Sequence, residues 1–122
     1  MLTLHAPHTE RTHHLIGGPE LALLPRNAVV VNTARGELID QPALAAALVD
    51  GRIAAAGLDV LEQEPPARDD PILSAPNAIL TGHLSSFSEV GLSRTGEAVI
   101  ANLRELLAGR LPASCLNPDA WR

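Results

Sequence analysis

Short apolar runs rich in β-branched residues alternate along the chain with stretches whose apolar positions recur at helical spacing. Leu2–Ala6 predicts a brief strand. Gly17-Gly18-Pro19-Glu20 marks a helix start, with Pro19 at the first helical position, and Pro25 ends the predicted helix Glu20–Leu24. Ala28–Asn32 (Ala-Val-Val-Val-Asn) reads as a strand that is apolar on both faces, as burial in a parallel sheet requires. Asp40 is a good N-cap and Pro42 is tolerated in the first turn. Leu44, Ala47 and Leu48 then form an apolar face, and Gly51 stops that helix. A third strand is expected over Ile53–Val60, a Pro-, Asp- and Glu-rich loop over Glu62–Asp70, and a fourth strand over Ala78–Thr81. Ser86 and Glu89 form a Ser-x-x-Glu capping box for a long helix with an apolar stripe of Val99, Leu103, Leu106 and Leu107. Gly109 and Pro112 close it, and the tail from Ala113 to Arg122 has no periodicity.

The order βαβαββα, with helix-length connections, argues for an α/β fold: a parallel sheet covered by helices. At 122 residues, 46% hydrophobic and with a net charge of −5, the chain is one domain's worth of sequence, too apolar for a disordered segment. Nine Arg, no Lys and an acidic balance supply no basic stripe for nucleic acid. Phe87 and Trp121, the two aromatic residues, are too few for a base-stacking platform and are expected to pack or cover an edge. The single Cys115 makes no internal disulfide and has no evident base beside it. No apolar run approaches the roughly 20 residues that cross a bilayer, and the N-terminus lacks the pattern of a secretory signal. These features lead to the expectation of a soluble, cytoplasmic protein with neither nucleic acid nor membrane among its partners.

In open parallel sheets ligands sit outside the carboxyl ends of the strands. Ala28–Asn32 runs into Thr33-Ala34-Arg35-Gly36, Ile53–Val60 delivers Asp59 and then Glu62 and Glu64, and Ala78–Thr81 delivers His83. An Arg can hold a carboxylate through two parallel hydrogen bonds and stays charged throughout. A His beside a carboxylate can move a proton near neutral pH. Together they suit interconversion of an alcohol and a carbonyl on an acid substrate.

The segments His5–Gly17, Val29–Asp40 (VVVNTARGELID), Ala54–Pro66 (AAAGLDVLEQEPP) and Asn77–His83 (NAILTGH) resemble, in order and spacing, the carboxyl-terminal half of the D-isomer-specific 2-hydroxyacid dehydrogenases. The combination of N-T-A-R-G, L-D-V-x-E-x-E-P and T-x-H is far more specific than any single glycine motif. The resemblance implies a partial Rossmann-like, doubly wound sheet over residues 1–112, lacking the first βαβ half, with a tail over 113–122. It implies NAD or NADP as cofactor and a small 2-oxo or 2-hydroxy acid as substrate. Arg35 would bind and polarise the 2-oxo acid, and His83 would be the general acid/base. Glu64 would hold His83, and Asp59 would orient the nicotinamide carboxamide. Thr33, Ala34, His5, Ala6, Pro7 and Thr12 would line the cofactor.

The family's G-x-G-x-x-G turn, its ribose-binding acidic residue and its substrate domain do not occur in these residues. The expectation is therefore of a carboxyl-terminal portion that alone binds dinucleotide weakly and does not turn over, associating with an N-terminal half or a homologous dehydrogenase. The alternative is a non-catalytic remnant that docks on a complete dehydrogenase. Gly82 replaces the usual proline before the catalytic His, and Ser85 and Ser86 stand where small apolar residues are common. Blander readings exist for several residues. Asp59 could merely cap a turn, and Glu62 reads as a solvated loop carboxylate. His5 and His8 have a His-x-x-His spacing, but a strand and loop do not present them as a helix would, so no metal site is expected. Ser85 and Ser86 lie near His83 without a G-x-S-x-G elbow, and capping explains them better than hydrolysis.

Overall fold

A computed structural model describes residues 1–121. Four strands, Leu2–Leu4 (β1), Val29–Asn32 (β2), Ala55–Leu58 (β3) and Ala78–Leu80 (β4), form one wholly parallel sheet in the order β1-β2-β3-β4. Val30 lies between Leu2 and Ala56, and Asn32 between Leu4 and Leu58, so the carboxyl ends of the first three strands are level. Helix α1 (Gly18–Leu23) connects β1 to β2, and α2 (Gln41–Val49) connects β2 to β3. The last crossover runs through a single 3-10 turn, Pro71–Ser74. Such crossovers are what parallel pairing demands. The fold is thus α/β, with the element order expected from the apolar pattern.

The strands are shorter than the apolar runs that announce them. β1 stops at Leu4, not Ala6, because its partner's pairing ends at Asn32, opposite Leu4. β3 covers only Ala55–Leu58 of the run Ile53–Val60: Ile53 and Val60 are each 2% exposed, buried by packing beyond the ladder. β2 begins at Val29 rather than Ala28, and β4 ends at Leu80, although Thr81 still donates its N–H to the Leu58 carbonyl at 2.9 Å.

Helix ends follow local chemistry. α1 starts at Gly18, just ahead of Pro19, with the Glu20 carboxylate accepting from the Gly17 N–H at 2.9 Å, and it ends at Leu23. In α2 the Asp40 carboxylate accepts from the Ala43 N–H at 3.0 Å, and Gly51 follows in the left-handed region that favours glycine (φ +60°). Leu44, Ala45, Ala47 and Leu48 bury one side of α2 against the core that Leu4, Leu21, Val30, Leu38, Leu58 and Ile72 complete.

Residues Met1–Ser85 form one compact unit, and the chain from Ser86 onward forms a second. The second is built on α3 (Glu89–Leu107), none of whose residues is buried. Its cap is Ser88, not Ser86: the Ser88 hydroxyl accepts from the Gly91 N–H at 3.0 Å, while the Ser86 carbonyl accepts from the Ser88 N–H. Three serines, Ser85, Ser86 and Ser88, precede Glu89, and the last of them fits because Gly91, the third helical residue, supplies the donor. Gly109 (φ +67°) follows the helix end, and the tail contains a 3-10 turn, Pro118–Ala120. Arg122, the last residue of the expected tail, lies outside the described residues. Phe87 and Trp121 are 66% and 45% exposed, so neither is packed away as an edge cover would be. Among the described residues no helix is long and apolar enough to cross a membrane.

Candidate active site

The site begins at the end of β2. Asn32 is 1% exposed, and a buried amide must find partners for both ends. Its Oδ1 accepts from the Ala34 N–H at 3.1 Å, and its Nδ2 donates to the Arg35 carbonyl at 2.8 Å. One side chain therefore folds Thr33–Arg35 back on the strand end and aims Arg35 outward. Gly36 comes next, opposite the loop that leaves β3. A Cβ placed there would sit 2.0 Å from the Leu61 carbonyl carbon and oxygen and 2.4 Å from the Glu62 nitrogen. Only glycine admits that approach. The exposed Arg35 guanidinium spends one N–H on the Ala34 carbonyl, at 2.7 Å, out of five donors.

Asp59 leaves β3 as a buried carboxylate, 6% exposed. Its Oδ1 accepts from the Thr81 hydroxyl at 2.5 Å and from the Leu84 N–H at 2.8 Å, and its Oδ2 accepts from the Ser85 N–H at 2.8 Å. Its backbone carbonyl accepts from the His83 N–H at 2.8 Å. Asp59 thus organises the whole turn after β4 and holds His83 in a left-handed conformation (φ +58°). The Thr81 hydroxyl, followed by the Leu84 and Ser85 amides, keeps the Asp59 carboxyl well below the usual carboxylate range against the opposing effect of burial.

His83 Nδ1 meets Glu64 Oε2 at 2.7 Å, and Glu64 Oε1 accepts from the Leu61 N–H at 2.9 Å. The hydrogen bond from His83, then that from Leu61, lowers the Glu64 pKa; burial and the Asp59 charge oppose the shift. With Nδ1 committed to Glu64, Nε2 is the ring nitrogen left to exchange a proton with a ligand. Arg35, Glu64 and His83 line one pocket of about 180 Å³, together with Gly36, Glu37, Val60, Leu61 and Glu62. Arg35 also walls a larger cavity of about 750 Å³, formed with His5, Ala6, Pro7, His8, Thr33, Ala34 and Glu37. That volume lies within the range of small-molecule and cofactor sites.

Two expected residues stand outside the larger cavity. The Thr12 hydroxyl donates to the Pro7 carbonyl and accepts from the Thr9 N–H, both at 2.8 Å, which braces the loop that presents His5 to His8. Asp59 lines a separate space of about 250 Å³ with Thr81, Gly82, His83 and Glu64. Glu62, read from the sequence as solvated, is in fact tied: its carboxylate meets His14 Nε2, and its N–H donates to Gln41 Oε1 at 3.1 Å. His13 stacks on His14 with ring centroids 4.0 Å apart. Among the described residues no group of three His, Cys, Asp or Glu side chains is placed to hold a metal ion. The sequence assigns no supporting role to Asn32, Gly36 or Gln41. The first two sit inside N-T-A-R-G, so the motif itself was the available signal.

Acid sensitivity follows from the two depressed carboxyls. Their ordinary pKa values are 3.8 for Asp59 and 4.5 for Glu64, and folding lowers both. The native state therefore binds fewer protons than the unfolded chain, and stability rises with pH in that window. The contribution is fully present above about pH 5 and is lost as pH falls through the folded-state values. Urea midpoints measured from pH 6 down to pH 3 are expected to decline, and to decline less in Asp59→Asn. Equal slopes in the two proteins would contradict this role for Asp59.

A parallel sheet whose carboxyl-edge loops gather an Arg, a His–Glu pair and a ligand-sized cavity is the layout of a nucleotide-binding α/β domain. The chain belongs to the D-isomer specific 2-hydroxyacid dehydrogenase family, whose NAD binding domain matches residues 1–85. It is 45% identical over 118 residues to a glyoxylate reductase of Korarchaeum cryptofilum, covering 97% of this chain and 36% of that protein. Its fold superposes on the TT0316 protein of Thermus thermophilus with a TM-score of 0.84 and 40% identity, over 91% of this chain and 35% of the other. A D-lactate dehydrogenase of Lactobacillus jensenii, solved with NAD+, matches with a TM-score of 0.81 and 32% identity, over 91% and 37% of the two chains. The chain thus spans little more than a third of the length of these relatives.

Proposed function

We propose that this chain supplies the nicotinamide-facing half of an NAD- or NADP-dependent oxidoreductase that interconverts 2-oxo and 2-hydroxy acids. The observation that carries this reading is the meeting of Arg35, Glu64 and His83 around one pocket, with His83 Nδ1 bonded to Glu64 at 2.7 Å. In it, residues 1–112 are the carboxyl-terminal part of a dinucleotide-binding domain and 113–122 its tail, working beside further polypeptide such as the longer relatives possess.

The residues fit the cofactor's chemistry. His5, Ala6, Pro7, Thr33 and Ala34 wall a cavity of suitable size at the ends of β1 and β2, with Thr12 bracing its loop. Asp59 Oδ2 accepts one hydrogen bond and retains capacity for a carboxamide N–H. When bound, NAD(P)H supplies the hydride. Arg35 grips the substrate carboxylate and draws electron density from the 2-oxo group. His83 donates the proton that neutralises the developing alkoxide, and Glu64 fixes the orientation of the imidazole through its bond to Nδ1. The names of the relatives, a glyoxylate reductase and a D-lactate dehydrogenase, support a small 2-oxo acid as the substrate class.

Titration with NADH and then oxalate, an unreactive mimic of a small 2-oxo acid, tests the reading by ¹H–¹⁵N NMR. Saturable shifts are expected at residues 5–8, 33–37 and 83. Arg35→Ala is expected to weaken oxalate binding on the order of 30-fold, the scale of losing hydrogen bonds to a charged group. Shifts confined to residues outside these segments, or no shifts at all, would overturn the assignment.

A further inference from the structure

Gln41 opens α2 yet does nothing for the helix end, which Asp40 already caps. It is 5% exposed, and its amide is used at both ends. Nε2 donates to Asp70 Oδ2 at 2.7 Å, and Oε1 accepts from the Glu62 N–H at 3.1 Å. Both partners fix the amide's orientation, since the Asp70 carboxylate can only accept and a backbone N–H can only donate. Asp70 is itself anchored, its Oδ1 accepting from the Ile72 N–H at 3.0 Å at the start of the 3-10 turn. The chain from Leu61 to Glu64 is therefore gripped at Glu62 N by a buried side chain held from behind. Two residues further on, Glu64 meets His83, and the Leu61 N–H completes the Glu64 carboxylate.

We propose that Gln41 is a positioning residue for the Glu64–His83 pair, acting through the Glu62 backbone, with Asp70 setting the polarity of its amide. The inference rests on the reading of that pair given above, but its test needs neither nucleotide nor turnover. A failed NADH titration and a failed positioning test are thus distinguishable.

Two variants of the full chain separate hydrogen bonding from simple packing. Gln41→Leu keeps the approximate volume and removes both bonds. Asp70→Asn keeps an oxygen for the Ile72 N–H and presents an NH₂ where Oδ2 stood, so Gln41 must turn its amide and set Nε2 against the Glu62 N–H. Carbon-13 NMR titration of the Glu64 carboxyl gives the decisive signal, because its low pKa depends first on the His83 bond. Both variants are expected to raise the Glu64 midpoint toward its ordinary value and to speed Glu62 amide exchange on the order of tenfold, the scale of one lost hydrogen bond. Unshifted Leu44 and Val30 resonances would confirm an intact core. If Gln41→Leu fails to fold, Asp70→Asn decides alone. An unchanged Glu64 midpoint with Glu62 still protected in Asp70→Asn overturns the proposal.

Discussion

Gly36→Ala is expected to destabilise the Met1–Ser85 unit by about 3 kcal/mol, at the upper end for forcing one extra methyl into a packed site. The new Cβ would meet the Leu61 carbonyl group at 2.0 Å, and backbone cannot step aside as a flexible side chain can. One of the two loops must retreat, either the turn that aims Arg35 or the segment that delivers Glu64. The loss is expected both in stability and in the site, with the urea midpoint lower by ~2 M at the denaturant sensitivity usual for small domains. Arg35 and His83 resonances are expected to shift together. A midpoint within error of the unsubstituted chain would mean that the two loops do not approach as closely as described.

Asn32→Ala has the second largest expected effect. The substitution leaves the Ala34 N–H and the Arg35 carbonyl without their partner in a part-buried turn. Leaving buried polar groups unpaired costs about 1–3 kcal/mol each before relaxation, so a net loss of ~2 kcal/mol is expected. The turn would also stop aiming Arg35, so oxalate capture is expected to weaken with Arg35 itself untouched. Asn32→Asp separates the two contributions: it keeps the acceptor for Ala34 and loses the donor for the Arg35 carbonyl. Thermal unfolding with a parallel oxalate titration reads both. A variant that lost stability but bound oxalate normally would refute the claim that Asn32 aims Arg35.

The sheet was legible because its strands are short, mostly apolar and separated by helix-compatible spacers. Asp40, Pro42 and Gly51 marked the second helix because capping is a contact within a few residues. Strand ends were less legible. Ile53 and Val60 belong to the core without belonging to the ladder, and apolarity alone cannot tell pairing from packing. The Ser-x-x-Glu spacing pointed to Ser86, but the cap is Ser88, whose hydroxyl accepts from the Gly91 N–H three residues on.

For the site, motif resemblance pointed to Arg35, Glu64 and His83 but not to what holds them. Gln41 reaches Glu62 across 21 residues of sequence and Asp70 across 29, and His14 reaches Glu62 across 48. No periodicity announces such pairs. Asp59 illustrates the same limit: whether its carboxylate serves a turn or a cofactor is set by donors at Thr81, Leu84 and Ser85, which the fold brings to it.

The most direct measurement is a crystal structure of the chain with NADH and oxalate. The expected electron density places one oxalate carboxylate on the Arg35 guanidinium and an oxygen of the other within hydrogen-bond reach of His83 Nε2. The nicotinamide should lie along Thr33 and Ala34, with His83 Nδ1 still on Glu64. Oxalate bound away from Arg35, or Arg35 and His83 facing different spaces once ligands are present, would contradict the account.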